Sequence, residues 1–206
     1  AAHQSRQAWL TAEPLLRRLL ARAQKLDWLV TYGWKPEERA FVGGVVSSLQ
    51  KIIRDTAYLG HPAETLPLSA MRGEVEGFHL LVIPLYQRLT GIRLEVSALE
   101  GPSGAQIPAE NVSIFWEDFV ESRPARYPTD GTRWYGDPLI PLEYAPTVLE
   151  PDTLHQPFWI SVRVPYGIPH GIYTGTLTVS AHNAAPWHVT LRLRVFDVDL
   201  PERPVL

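Results

Sequence analysis

The chain has 206 residues, of which 45% are hydrophobic, and a formal net charge of −3. This length and composition suit one large domain with a sizeable core, and the slight acidity disfavours nucleic-acid binding, which normally uses a basic face. The lack of cysteine in the sequence excludes a disulfide scaffold, a thiolate zinc site and a cysteine nucleophile. No apolar run has the length of a membrane span, so a membrane partner is not expected.

Residues 1–60 carry the spacing of an α-helical hairpin. In the first helix, apolar residues recur every three or four positions from 15 to 30, and Thr11 is placed to cap its start. Pro14 is compatible with the first turn, where backbone N–H groups have no helical partner. Residues 31–35 then form a turn that ends this helix.

The second predicted helix opens at Pro36 and has an apolar stripe between residues 41 and 57. Gly43-Gly44 weakens a helix but permits a close backbone approach. The hairpin needs a surface on which to bury its two stripes. We expect that surface to be a sheet face of the same chain, with a coiled-coil partner or a membrane surface as alternatives.

Residues 61–206 predict a mainly β, antiparallel sandwich of about eight strands. The segments 75–84 and 112–120 are apolar at both odd and even positions, which indicates strands covered on both faces. The segments 156–164 and 173–179 alternate apolar and polar residues, as strands with one buried face do. The same alternation runs from Trp187 to Val195 and then changes phase at Phe196, which predicts a bulge or a sheet-switching corner.

Several blocks in residues 66–206 resemble the β-sandwich domain that precedes the catalytic barrel in glycoside hydrolase family 123. The blocks are MRGEVEGFHLLVIP (71–84), LTGIRLEVSAL (89–99), IPAENVSIFWEDFVE (107–121), WYGDPLIPL (134–142), VPYGIPHGIYTGTLTV (164–179) and LRVFDVDLP (193–201). His79 stands where this family usually has glutamine. The resemblance implies a C-terminal catalytic barrel as the partner domain. In the family, an adjacent Asp-Glu pair in the barrel supports cleavage of N-acetylhexosaminides, and no matching block occurs in this chain.

The acidic residues themselves give no sign of catalysis. Glu117 and Asp118 are adjacent, but neighbours on a strand project to opposite faces and cannot converge on one substrate. The seven histidines lack the spacing of metal ligands, so we predict neither a metal nor a cofactor.

Aromatic residues are the better candidates for binding. Trp134, Tyr135 and Asp137 lie in a Gly- and Pro-rich segment, 128–141, which predicts a surface loop. A tryptophan ring can stack on a sugar, and a carboxylate can accept hydrogen bonds from its hydroxyl groups. We therefore predict these three residues as a carbohydrate-binding site. The alternative is that Trp134 anchors the domain against the barrel.

The sequence thus predicts a non-catalytic module that packs on a catalytic barrel and shapes one side of a glycan cleft. Two alternatives stay open: a stand-alone structural protein that self-assembles, and an independent carbohydrate-binding module. The small residues at the start of the chain are compatible with a terminus left by signal cleavage. We accordingly expect a bacterial protein in the extracellular or periplasmic space.

Overall fold

A computed structural model of the chain describes residues 2–35, 38–56, 60, 62, 64–122 and 133–201. In this part of the chain there are one α-helix, α1 (Ala2–Thr31), and thirteen strands. The strands are β1 (Phe41–Ser47), β2 (Thr65–Arg72), β3 (Val75–Pro84), β4 (Leu89–Thr90), β5 (Arg93–Val96), β6 (Leu99–Glu100), β7 (Gln106–Ile107), β8 (Val112–Ser122), β9 (Arg133–Pro141), β10 (Val148–Leu149), β11 (Gln156–Arg163), β12 (Gly171–Ala181) and β13 (Ala184–Asp199).

Most strands belong to two sheets. Sheet A is antiparallel, with the order β1-β3-β11-β8-β9. Sheet B has the order β2-β13-β12-β6-β7, and β5 also pairs with β12. Its strands are antiparallel except for the parallel pair β2–β13. The short strands β10 and β4 form a separate antiparallel pair.

The two large sheets share one hydrophobic core, so the predicted sandwich-like arrangement of a mainly β chain is observed. Leu80 and Phe158 contribute from sheet A, and Tyr173, Leu177 and Leu191 contribute from sheet B. The alternation predicted for 156–164 and 173–179 is confirmed, because the apolar positions are buried and the threonines of β12 are mostly exposed. These two strands lie in different sheets, so the Pro-containing connection between them crosses from sheet A to sheet B.

Strand β3 is covered on both faces, as its composition predicts. Residues 78–84 are all buried. The even-numbered side chains from Phe78 to Val82 join the core between the sheets, whereas Leu81 and Ile83 pack on the outer face of sheet A. Ile52 covers Leu81, and the partly buried Trp28 and Trp34 cover Ile83.

The predicted helical hairpin is wrong, because residues 41–47 form the edge strand β1 rather than a second helix. The apolar run fits either structure by periodicity, but valines are favourable in strands and the Gly43-Gly44 pair disfavours a helix interior. Pairing with β3 over the full length of β1 decides between them. The proposed domain boundary at residue 60 stays a prediction, although β1 already belongs to sheet A.

The helix α1 also differs from expectation. It begins at Ala2 rather than near Thr11, and it continues through Pro14. Trp28 near its C-terminal end packs on sheet A, but Leu16, Leu19 and Val30 are exposed. The apolar stripe of α1 is therefore not buried on a sheet face. Among the described residues α1 is the sole α-helix, and it lacks the apolar length that a membrane crossing requires.

The predicted irregularity near Phe196 is confirmed. Beyond Val195 the parallel register of β13 with β2 shifts, and Asp199 pairs with Arg72. The Arg72 guanidinium forms ion pairs with both Asp197 and Asp199. Phe196, Val198 and Leu200 are left exposed on this last part of the chain.

Gly43 provides a test of the close packing between the sheets. A β-carbon at this position would lie 1.8 Å from the Trp187 ring, so we expect Gly43→Ala to lower the free energy of unfolding. Overpacking of this kind typically costs about 1–3 kcal/mol. The measurement is urea unfolding of four proteins in a double-mutant cycle with Trp187→Leu. The loss should shrink in the Trp187→Leu background, and an equal loss in both backgrounds would contradict the Trp187 contact.

Candidate functional site

The predicted binding residues lie on a strand rather than in a loop. Trp134, Tyr135 and Asp137 belong to β9, the edge strand of sheet A, and residues 128–132 of the predicted loop fall outside the described residues. The register of β9 with β8 shifts between Gly136 and Leu139, so Asp137 lies at a bulge. Trp134 and Tyr135 are neighbours on a strand and therefore project to opposite sides. The structure does not bring the three side chains together on one flat surface.

Both aromatic rings meet cations from the segment that follows β1. The Arg54 guanidinium carbon lies 4.0 Å from the centre of the Trp134 ring, and Lys51 Nζ lies 5.6 Å from that of Tyr135. The backbone N–H of Arg54 also donates a hydrogen bond to the backbone carbonyl of Trp134 at 3.0 Å. Cation–π contacts of this kind hold the rings in place. One face of Trp134 is therefore already occupied, and a sugar would have to stack on the other.

A buried polar pair lies on the outer face of sheet A. His79 Nδ1 and Glu117 Oε2 are 2.7 Å apart, and both side chains are almost fully buried. The Gln156 side-chain amide donates to the Glu117 and Pro157 carbonyls, each at 2.8 Å. Trp159 approaches the His79 ring edge-on with a centroid distance of 5.0 Å. The His79 and Glu117 side chains thus satisfy each other's hydrogen-bonding capacity away from solvent, as a buried structural pair must.

Gly136 is the residue that makes room for this pair. A β-carbon at position 136 would lie 2.1 Å from Glu117 Oε1, so a larger residue would displace the carboxylate. The backbone N–H of Gly136 donates to the Ile52 carbonyl at 2.9 Å. This hydrogen bond joins β9 to the segment that follows β1, whose Ile52 covers Leu81. The glycine of the WYGDP sequence thus serves the buried Glu117 rather than a surface loop.

The two adjacent acidic residues face different environments, as strand alternation predicts. Glu117 is buried, whereas Asp118 is exposed and accepts a hydrogen bond from the backbone N–H of Phe119 at 2.8 Å. They cannot act on one substrate. The partnership of Glu117 with His79 was missed, although a signal for it exists. His79 is a polar residue on the outer face of β3, which is buried on both sides, and such a residue needs a polar partner. The prediction that segment 112–120 is likewise covered on both faces is wrong, because Ser113, Asp118 and Val120 of β8 are exposed.

A second polar cluster joins α1 to the sandwich. Lys25 Nζ donates to the carbonyls of Pro151 and Thr153, at 3.4 and 3.2 Å. Burial lowers the pKa of Lys25 to about 8, with the charge of Arg22 as a further cause. Burial, together with the Lys25 charge, lowers the pKa of His155 to about 4. His155 is therefore neutral at physiological pH, and its ring nitrogens have no hydrogen-bond partner among the described residues.

An aromatic cleft lies between the start of β1 and the start of β13. Its volume is about 380 Å³, and its lining includes two tryptophans, Trp34 and Trp187. The charged or ionisable residues that line it are Glu38, Arg39, Glu64 and His188. Tyr32 stacks on Trp34 at a centroid distance of 4.7 Å. A cleft of this size, with flat rings and a few polar groups, can bind a small polar ligand. Within the described residues, no group of three or more acidic or histidine side chains could hold a metal ion.

Comparison with known proteins gives a likeness of fold. No family model and no curated protein matches the chain. A family 123 glycoside hydrolase from Clostridium perfringens, described for the hydrolysis of glycolipid glycans, is similar in structure with a TM-score of 0.66 and 16% identity. The match covers 79% of this chain but 28% of that enzyme.

Two further solved structures are less similar. AvmM, which catalyses macrocyclization in alchivemycin A biosynthesis, matches with a TM-score of 0.41 and 10% identity, over 79% of this chain and 93% of its own. The SrpA adhesin of Streptococcus sanguinis matches with a TM-score of 0.32 and 13% identity, over 63% of this chain and 54% of its own. Both scores are too low to support a shared fold. The likeness to the glycoside hydrolase establishes a distant relation of fold and no more.

The buried pair predicts unequal effects at two adjacent acidic residues. We expect Glu117→Ala to lower the free energy of unfolding by about 3–5 kcal/mol, because it leaves buried His79 without its partner. Asp118→Ala, the matched control on the same strand, should change it by about 0.5 kcal/mol or less. Chemical denaturation followed by tryptophan fluorescence measures both. Equal effects of the two substitutions would contradict a structural role for Glu117.

Proposed function

We propose that this chain is the non-catalytic β-sandwich module of a carbohydrate-active enzyme similar to glycoside hydrolase family 123, packed against a C-terminal catalytic barrel. The observation that carries this proposal is the fold likeness, which covers most of this chain but a minor part of the enzyme. A module of this kind accounts for a well-packed sandwich in whose described residues the adjacent Glu117 and Asp118 do not converge. The proposed location is extracellular or periplasmic, where glycans are encountered.

The last part of β13 supports the packing role. Phe196, Val198 and Leu200 alternate along the chain and are exposed. The ion pairs of Arg72 with Asp197 and Asp199 hold this segment to β2, and the Tyr166 hydroxyl donates to the Leu200 carbonyl at 3.0 Å. An exposed apolar row on a backbone held in this way can orient an adjoining domain. We assign this row as the contact surface for the barrel.

In the same proposal, β9 shapes one side of the glycan cleft. Trp134 would stack a sugar on the ring face opposite Arg54, and the exposed Asp137 can accept hydrogen bonds from sugar hydroxyl groups. Tyr135 lies between them in sequence and is held by Lys51. The Arg54 and Lys51 contacts fix the rings before a sugar arrives, which reduces the entropy lost on binding.

The packing role predicts that the apolar row stabilises the parent polypeptide. In a protein that contains this chain and its barrel, Phe196→Ser combined with Val198→Ser should split one cooperative thermal transition into two. Leu49→Ser is the control, because Leu49 is exposed at a site remote in sequence from the row. Differential scanning calorimetry measures the transitions. A gene whose reading frame stops after Leu206, or unfolding that is unchanged in the double variant, would contradict the proposal.

The aromatic cleft favours a second candidate function, an independent carbohydrate-binding module. If the cleft binds sugars, the chain alone should bind N-acetylglucosamine oligomers, and Arg39→Ala should weaken binding at least about tenfold, the usual loss for one hydrogen bond to a charged group. Under the first proposal, Trp134→Ala should weaken glycan binding by the two-domain protein, while Arg39→Ala should leave it unchanged. Isothermal titration calorimetry distinguishes the two. Binding that neither substitution changes would contradict both sites.

A further inference from the structure

The helix α1 leaves an apolar face in solvent. The exposed fractions are 51% for Leu16, 51% for Leu19, 63% for Leu26 and 82% for Val30. Leu15 and Leu20, which flank this face, are also exposed. Contiguous apolar surface of this kind on a soluble protein marks an interaction site.

The spacing of this face is that of a coiled coil. Ala12, Leu16, Leu19, Ala23, Leu26 and Val30 are separated alternately by four and three residues. A repeat of this kind places the residues at positions d and a of successive heptads, in one stripe along the helix. We call this stripe of six residues the seam. In this register Leu15 and Arg22 occupy g, and Leu20 and Asp27 occupy e.

The direct contacts of the helix with the sandwich come from residues outside this apolar face. Trp28, at position f, packs on Val42 and Ile83 of sheet A. Lys25, at position c, donates to the Pro151 and Thr153 carbonyls. Positions c and f lie away from the a and d positions, so these contacts leave the apolar stripe exposed. At its C-terminal part, Arg22, Leu26 and Leu29 also line a cleft between α1 and the sandwich.

We propose that the seam of α1 pairs with the seam of a second copy of this chain, in a parallel two-stranded coiled coil. The flanking residues identify this occupant. In a parallel pair, a g residue meets the e residue of the next heptad on the other helix. Arg22 then meets Asp27 of the second copy, and Leu15 meets Leu20 of the second copy, on both sides of the twofold axis.

An antiparallel pair would lack these contacts. It opposes g with g and e with e, and the g positions hold Leu15, Arg22 and Leu29 whereas the e positions hold Glu13, Leu20 and Asp27. No opposite charges would meet in that arrangement. Arg22 and Asp27 are both exposed, and neither forms an ion pair with another described residue. Charge complementarity therefore favours the parallel dimer.

Sedimentation equilibrium of the 206-residue chain tests the seam. We expect twice the chain mass, and Leu16→Glu with Leu19→Glu should raise the dimer dissociation constant at least about 100-fold by removing apolar contacts. The thermal transition of the sandwich should remain, which distinguishes dissociation from unfolding. Gln24→Glu, at an exposed position b, is the control and should leave the dimer intact. A dimer that persists in the leucine variant would overturn the proposal.

Charge reversal tests the parallel orientation and the identity of the occupant. Arg22→Asp or Asp27→Arg alone should raise the dissociation constant about tenfold, because like charges then meet twice in each dimer. The two changes together should restore it, since the opposite-charge pair is re-formed with its signs exchanged. A double variant as weak as the single ones would overturn the parallel pairing. A chain that is monomeric at every attainable concentration, including one that instead binds phosphatidylserine vesicles through this face, would overturn the dimer itself.

Discussion

Strand β3 is buried on both faces, and each face requires a different cover. Its inner side chains pack with sheet B, while Leu81 and Ile83 need protection on the outer face of sheet A. Ile52, Trp28 of α1 and Trp34, which follows the helix, supply that protection. Pairing with β1 on one side and with β11 on the other satisfies the backbone hydrogen-bonding groups of β3. The position of β1, the path of residues 48–56 and the attachment of α1 all follow from this central strand.

The same outer face explains why Glu117 is buried and paired. The cover that protects Leu81 also removes Glu117 and His79 from water, and a carboxylate in such a place must have a partner. The resulting pair holds β3 against β8 through side chains, although β11 lies between them. Gly136 allows β9 to pass the carboxylate. A residue fixed in this way has no access to a glycoside.

The two ends of the sandwich expose different apolar surfaces. At one end, Lys25 and Trp28 bind α1 to the sandwich and leave a leucine seam outward. At the other, ion pairs of Arg72 hold the end of β13, where an apolar row is exposed. In both places polar contacts fix the backbone and apolar side chains remain in solvent. This division of roles suits a module that is assembled with other domains or with a second copy.

The sequence alone determined the strands with clear alternation and the covered strand β3, because side-chain period is a local property of an extended chain. It also indicated the register change near Phe196 and the separation of Glu117 from Asp118. It could not determine whether residues 41–47 are a helix or a strand, because the four apolar side chains of this segment fit both periods and only pairing with β3 decides. The His79–Glu117 pair and the Arg54–Trp134 contact join residues distant in sequence, so only the tertiary structure brings them together. The exposure of the α1 seam was likewise decided by tertiary structure, since Trp28 is the residue of α1 that covers the outer face of sheet A, and Trp34 and Ile52 cover the rest.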